Sequence, residues 1–158
     1  MTTIAYRSGM LAADTAVLNG YNILGDAMVK IAKHHGCLAG ATGTAGYCAA
    51  FLKWFCGGEQ DAPPKAEKDN DNYDTGIIVR PDGSIDRHEL SGWHTLRPRY
   101  YAVGSGRDHA FGAMFAGATA EQAVRAAIEH DPGTAGSVTV LRLQPGDEDW
   151  RRIDGPAW

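Results

Sequence analysis

The sequence predicts an α+β fold in which helices layer onto antiparallel sheets. Three observations carry that prediction. Apolar residues alternate or run in short stretches from the first residues onward, helical spacing is confined to three places, and the two kinds of segment come in blocks. Strands, one helix, more strands, two helices and a last strand do not make a βαβ alternation. Length adds a bound: 158 residues fit a single domain spanning 1–158. A chain of that size buries roughly 70% of its unfolded surface and needs no staples to fold.

The first strand starts almost at the terminus, with Ile4 and Tyr6 alternating and Met10 to Ala13 running apolar. Ser8-Gly9 between them is the turn of a hairpin. Asn19-Gly20-Tyr21-Asn22 marks a second turn, Met28 to Ala32 predicts a short strand, and Cys37 to Ala41 reads as a buried one. That strand ends in the glycine-rich turn Gly40-Ala41-Thr42-Gly43. From Thr44 to Cys56 the residues Tyr47, Phe51, Leu52 and Phe55 recur at helical spacing, and Gly57-Gly58 stops the helix.

Residues 57–73 hold two prolines and mixed charge without a period, which predicts a solvated surface loop. Strands resume over Gly76 to Arg80, turn at Pro81-Asp82-Gly83, and return over Ile85 to Leu90 and Tyr100 to Val103. Gly104-Ser105-Gly106 then leads to helices over Asp108 to Ala116 and Ala120 to His130, the second opened by a Thr119/Gln122 capping box. The β-branched run Ser137 to Leu143 predicts a last strand before a polar tail at 144–158.

Composition excludes several function classes. A net charge of −4 leaves no electrostatic footprint for nucleic acid, and no apolar run reaches the length that spans a bilayer. The start MTTIAYRSG lacks the plan of a signal peptide, and three cysteines without paired spacing fit a reducing compartment. The expectation is a cytoplasmic protein. His34-His35 has no third ligand at a recognisable spacing, so no metal site is expected. Cys48, Cys56 and the four tryptophans (Trp54, Trp93, Trp150 and Trp158) read as packing or subunit contacts.

The chemistry-bearing residues begin at the terminus. Met1 is removed readily before a small residue, which would leave Thr2 carrying a hydroxyl nucleophile and an α-amine base together. Such an amine titrates near neutrality, with a reference pKa of about 7.7–8.0. Asp14 closes the apolar strand LAAD and Lys30 lies in MVKIA, so the two are either a half-buried ion pair or two solvated side chains. Gly43 stands at a strand-to-helix turn, where backbone N–H groups are free to hold an oxyanion. Asp131 and Thr134 share a glycine-rich turn that a local hydrogen bond would explain equally well.

Together, TTIAYRSGMLAADTAVLNG, Lys30-Ile31, LAGATGTAG, YYAVGSG and DPGTAGSVTV resemble, in order and spacing, the proteasome β-type subunits and their bacterial HslV-type relatives. These are N-terminal nucleophile (Ntn) hydrolases, and the likeness runs from residue 2 to about 143. The resemblance implies a four-layer α-β-β-α sandwich of two antiparallel sheets between helical layers. It implies a threonine peptidase that uses no cofactor and no metal. Thr2 takes the place of the nucleophile, Asp14 and Lys30 those of the acid and lysine beside it, and Gly43 that of the oxyanion donor. Ser105, Asp131 and Thr134 match the polar set around the nucleophile's amine; Ala41 matches the floor of the substrate pocket, with Thr42 adjoining. A homo-oligomeric ring, a polypeptide or peptide substrate and an ATP-dependent unfoldase partner are implied in the same way. Two rivals are a catalytically silent ring or scaffold subunit and an Ntn amidase acting on a small-molecule amide.

Overall fold

The computed structural model describes residues 1–20, 22–69 and 72–144. The predicted tail from 145 on lies outside these, and so do Tyr21, Trp150 and Trp158. The fold is mixed α/β, with antiparallel sheets and three helices among the described residues.

One sheet holds four strands in the order β12-β1-β2-β13. Its members are β1 (Thr3–Arg7), β2 (Met10–Asp14), β12 (Tyr100–Gly104) and β13 (Val138–Arg142). The β1–β2 hairpin turns on Ser8 and Gly9, both at positive φ (49° and 78°), as a two-residue turn matched to strand twist requires. The second sheet runs β11-β10-β9-β6-β5. It comprises β5 (Ile31–His34), β6 (Cys37–Thr42), β9 (Thr75–Val79), β10 (Ile85–Glu89) and β11 (Gly92–Leu96). Two small hairpins complete the strands: β3 (Val17–Asn19) with β4 (Asn22–Gly25), and β7 (Lys68–Asp69) with β8 (Asn72–Tyr73).

Period-two alternation gives each sheet two buried faces. Ile4, Tyr6, Leu11, Ala13 and Val103 of the four-stranded sheet share one apolar cluster with Ile31, Leu38, Ile77, Val79 and Ile85 of the five-stranded sheet. The alternate residues face helices. Cys37, Ala39, Ala41 and Ile78 pack with α1 (Ala45–Cys56), and Ala5, Ala12 and Ala102 pack with α2 (Arg107–Phe115) and α3 (Ala120–His130). Thr44 caps α1 by accepting the Tyr47 N–H, and the Thr119/Gln122 capping box of α3 is complete.

The structure corrects the sequence at three places. The strand expected over Met28 to Ala32 begins only at Ile31, because the Met28 N–H is committed to the Thr15 carbonyl (2.9 Å) at the base of the small hairpin. Residues 57–73 are not a patternless loop: they contain β7 and β8, bury Ala66, and are tied down by Glu59, which takes a two-pronged ion pair from Arg80. Strand β11 was not predicted at all. Among the described residues no helix is long and apolar enough to cross a membrane.

Candidate active site

Six segments converge at one end of the paired sheets: the start of β1, the end of β2, the lead-in to β5, the β6–α1 turn, the β12–α2 turn and the α3–β13 turn. The hairpin register sets the first contact. Ile4 pairs with Ala13, so Thr3 stands opposite Asp14, and the Thr3 N–H donates to Asp14 Oδ1 at 2.9 Å. Gly104 pairs with Thr3 on the other side, and the Ser105 N–H donates to the Thr2 carbonyl at 2.9 Å. Thr2 is thus held at its carbonyl by the Ser105 N–H, while the next residue, Thr3, is tied to the Asp14 carboxylate. Thr2 is 4% exposed.

Lys30 reaches Asp14 from the other sheet. Its Nζ lies 3.0 Å from Asp14 Oδ2, with both side chains at 1% exposure or less. The Ala135 N–H also donates to Asp14 Oδ2 (3.1 Å), so the carboxylate is held by two backbone amides and one ammonium. The open alternative between ion pair and solvated side chains is settled in favour of the pair. Burial pushes the Asp14 carboxyl above its ordinary range and the Lys30 ammonium below its own, and the charge of each resists the shift of the other. The chain's terminal amine, on Met1, is also lowered, by burial first and then by the Lys30 charge. Lys30 Nζ and Thr2 Oγ1 both donate to the Met1 carbonyl, at 3.4 and 2.7 Å, which places the ammonium and the hydroxyl on one atom.

A second network hangs from the helix ends. Asp131 Oδ2 accepts from Ser105 Oγ (2.6 Å) and from Thr134 Oγ1 (2.5 Å), and the Gly133 N–H donates to Asp131 Oδ1 (3.1 Å). Burial opposes the Asp131 charge, but these three hydrogen bonds, with His109 nearby, hold its carboxyl below the usual range. Thr134 Oγ1 also meets Thr3 Oγ1 at 2.6 Å, and Thr3 Oγ1 accepts the Gly106 N–H at 3.0 Å. Asp131, Thr134 and Ser105 therefore connect to β1 one residue beyond Thr2.

Gly43 carries φ +116°, a conformation that L side chains rarely adopt, and a Cβ there would come within 2.2 Å of Asp74 Oδ1. Asp74 is the functional-site residue the sequence did not announce. Its Oδ1 accepts the Thr44 N–H (2.8 Å) and hydroxyl (3.2 Å), and its Oδ2 accepts the Glu67 N–H (3.0 Å), so one buried carboxylate sets the β6–α1 turn. The only sequence signal for it was the glycine that must make room. Thr3, the link between the two networks, was likewise missed.

Two hollows meet at Thr2. Both are lined by Met1, Thr2 and Gly43. A cleft of about 560 Å³ extends past Thr42, Asp74, Gly104 and Ser105 to a wall of Arg87, Glu89, Leu90, Ser91 and Arg107. A hollow of about 40 Å³ lies on the Lys30 side, walled by Val17, Leu18, Met28, Ala45 and Cys48. Thr42 lines the cleft, but Ala41 lines neither hollow. Alternation along β6 turns Ala41 to the α1 face, where it is fully buried in one cluster with Cys48, a residue that lines the small hollow. Cys48 is buried as expected, whereas Cys56 is exposed. Trp54 is partly buried against the α1 cluster, and the exposed Trp93 stacks on His88.

No family model and no curated protein matches the chain. Solved structures do. The chain is similar to Thiobacillus denitrificans BPH in complex with epoxomicin, with TM-score 0.64 and 21% identity over 91% of this chain and 99% of that one. It is equally similar to Thiobacillus denitrificans BPH, with TM-score 0.64 and 22% identity over 91% and 98% of the two chains. The likeness shows a shared fold.

Proposed function

We propose that this chain is an N-terminal threonine peptidase of the proteasome β/HslV type, hydrolysing peptide bonds after Met1 has been removed. The observation that carries this reading is the meeting of Thr2 with the buried Asp14–Lys30 pair at the mouth of the 560 Å³ cleft. The fold shared with a protein that binds epoxomicin, a proteasome inhibitor, supports it. On this reading the two sheets and their helices form the four-layer α-β-β-α sandwich of Ntn hydrolases, as one 1–158 domain.

In the proposed mechanism Thr2 Oγ1 bonds to the scissile carbonyl carbon while its proton passes, through a water, to the freed Thr2 amine. Lys30, held by Asp14, stabilises the developing alkoxide, and the Gly43 N–H receives the tetrahedral oxyanion. Collapse breaks the C–N bond, and the amine returns the proton to the departing nitrogen. Water then releases the acyl group from Thr2 by the reverse sequence. Ser105, Asp131 and Thr134 orient the amine. Proximity and fixed dipoles supply most of the acceleration. Assembly into a homo-oligomeric ring, fed by an ATP-dependent unfoldase, would keep such an enzyme from folded proteins, since cyclic symmetry closes a chamber.

The test is intact-mass analysis of the terminus together with labelling by a peptide epoxyketone, which joins the hydroxyl and the amine of a terminal threonine. The processed chain takes one equivalent of label and Thr2→Ala takes none. Equal labelling of Thr2→Ala, or a processed wild type that takes no label, refutes the reading. Lys30→Ala lowers kcat by orders of magnitude more than it raises KM; an unchanged kcat removes Lys30 from the mechanism.

A further inference from the structure

The two hollows divide the substrate. On the peptidase reading the smaller one, on the Lys30 side, takes the acyl half. Ser105, which donates to Asp131, lines the larger cleft, and on the same reading that is the side on which a departing nitrogen regains its proton. The leaving half of the substrate therefore lies along the wall that contains Arg107.

Four charged residues line that cleft, and three are already committed. Asp74 is buried with both oxygens filled by three donors. Arg87 donates to Glu89 (3.0 Å) and to the Tyr101 hydroxyl (2.5 Å), which leaves each of the pair partly satisfied by the other. Arg107 differs. Among the described residues it gives one hydrogen bond, to the Gly104 carbonyl at 3.0 Å, and its Nε stands 3.9 Å from the exposed Asp108 of its own helix. A guanidinium has five N–H donors in a planar fork that fits a carboxylate with two parallel bonds. The bond to Gly104 anchors that fork beside the residue whose backbone packs on the Thr2 carbonyl, in the wall of the cleft that Thr2 also lines.

We propose, resting on the peptidase reading, that Arg107 binds a carboxylate on the leaving half of the substrate. The substrate class is peptides with an acidic side chain, or a free C-terminal carboxylate, immediately beyond the scissile bond. Both sources present the same ligand to the guanidinium.

The experiment uses the processed full-length chain and quenched peptides differing only beyond the scissile bond: Glu, Gln or Lys at the first position, and peptides ending there as the free acid or the amide. A charge-assisted pair of this kind makes the preferred peptide about tenfold better in kcat/KM. Wild type favours Glu over Gln, or free acid over amide, by that factor, and the arm showing the preference identifies the carboxylate's source. Arg107→Gln brings the ratio close to one, and Arg107→Glu reverses it in favour of Lys, a gain that damage to the fold cannot imitate. Ratios near one in both arms of the wild type overturn the proposal, as does a preference that survives unchanged in Arg107→Gln. Epoxyketone labelling of the wild type in the same preparation reports on the peptidase reading separately, because that reagent has no leaving half.

Discussion

The two sheets cover their outer faces with different materials. Between the four-stranded sheet and its helices the contact is made mainly of alanine: Ala5, Ala12 and Ala102 from strands, and Ala110, Ala120 and Ala123 from helices. Against the five-stranded sheet, α1 sets Tyr47, Phe51, Leu52 and Phe55. Phe51 fits because β9 offers Gly76, where a Cβ would come within 2.3 Å of the ring. Small residues on both surfaces let the backbones approach closely, while large rings hold them apart. The difference matters for the site. Close approach lets the Gly106 N–H reach Thr3 Oγ1, and a Cβ at Gly106 would already crowd Ala127 at 2.8 Å. The helix ends that carry Ser105, Asp131 and Thr134 thus belong to the tightly packed side, and the aromatic side contributes Gly43 and the small hollow.

If this contrast is right, the two sides fail in opposite ways. Phe51→Ala leaves a cavity and costs about 3–5 kcal/mol in chemical denaturation; a loss under about 1 kcal/mol would mean the rings are not what fills that layer. The Asp14–Lys30 pair joins the two sheets, so Asp14→Asn strands a buried ammonium and costs about 3–5 kcal/mol. An Asp14→Asn, Lys30→Met double variant recovers part of that loss, and purely additive losses would show the pair is not coupled. On the alanine side the fault is crowding. Ala123→Leu costs about 1–3 kcal/mol, and a neutral or stabilising result would disprove close packing there.

The smallest effect is confined to acid. Asp131 is held below its ordinary range in the folded state, so its contribution is complete above that range and is lost as pH falls through the folded value. The stability gap between wild type and Asp131→Asn therefore narrows in melts taken from about pH 6 down to about pH 3. A gap that widens toward acid has the wrong sign.

How much of this was legible follows from how local each cause is. Ser8-Gly9 is a two-residue turn, which alone dictates that Thr3 faces Asp14 across the hairpin. Alternation along Cys37 to Thr42 also contained the placement of Ala41, which shares the α1 face with Cys37 and Ala39. The partnership of Asp14 with Lys30 is different, since it depends on two sheets meeting. No pattern within either segment encodes that distance: the apolar settings of Asp14 and Lys30 raised an ion pair and left solvated side chains as an equal alternative. Asp74 was hidden for a related reason: an acid in a polar stretch looks solvated until Gly43 is seen lying over it. Strand β11 escaped because an exposed edge strand buries little, so Gly92 to Leu96 show no apolar face.

Gly104 sits so near the Thr2 carbonyl that a Cβ there would come within 1.8 Å of the oxygen. The place of residue 2 is thus set by the main chain around its carbonyl. Serine or cysteine installed at that position would inherit the same address, provided the glycine beneath it is left untouched.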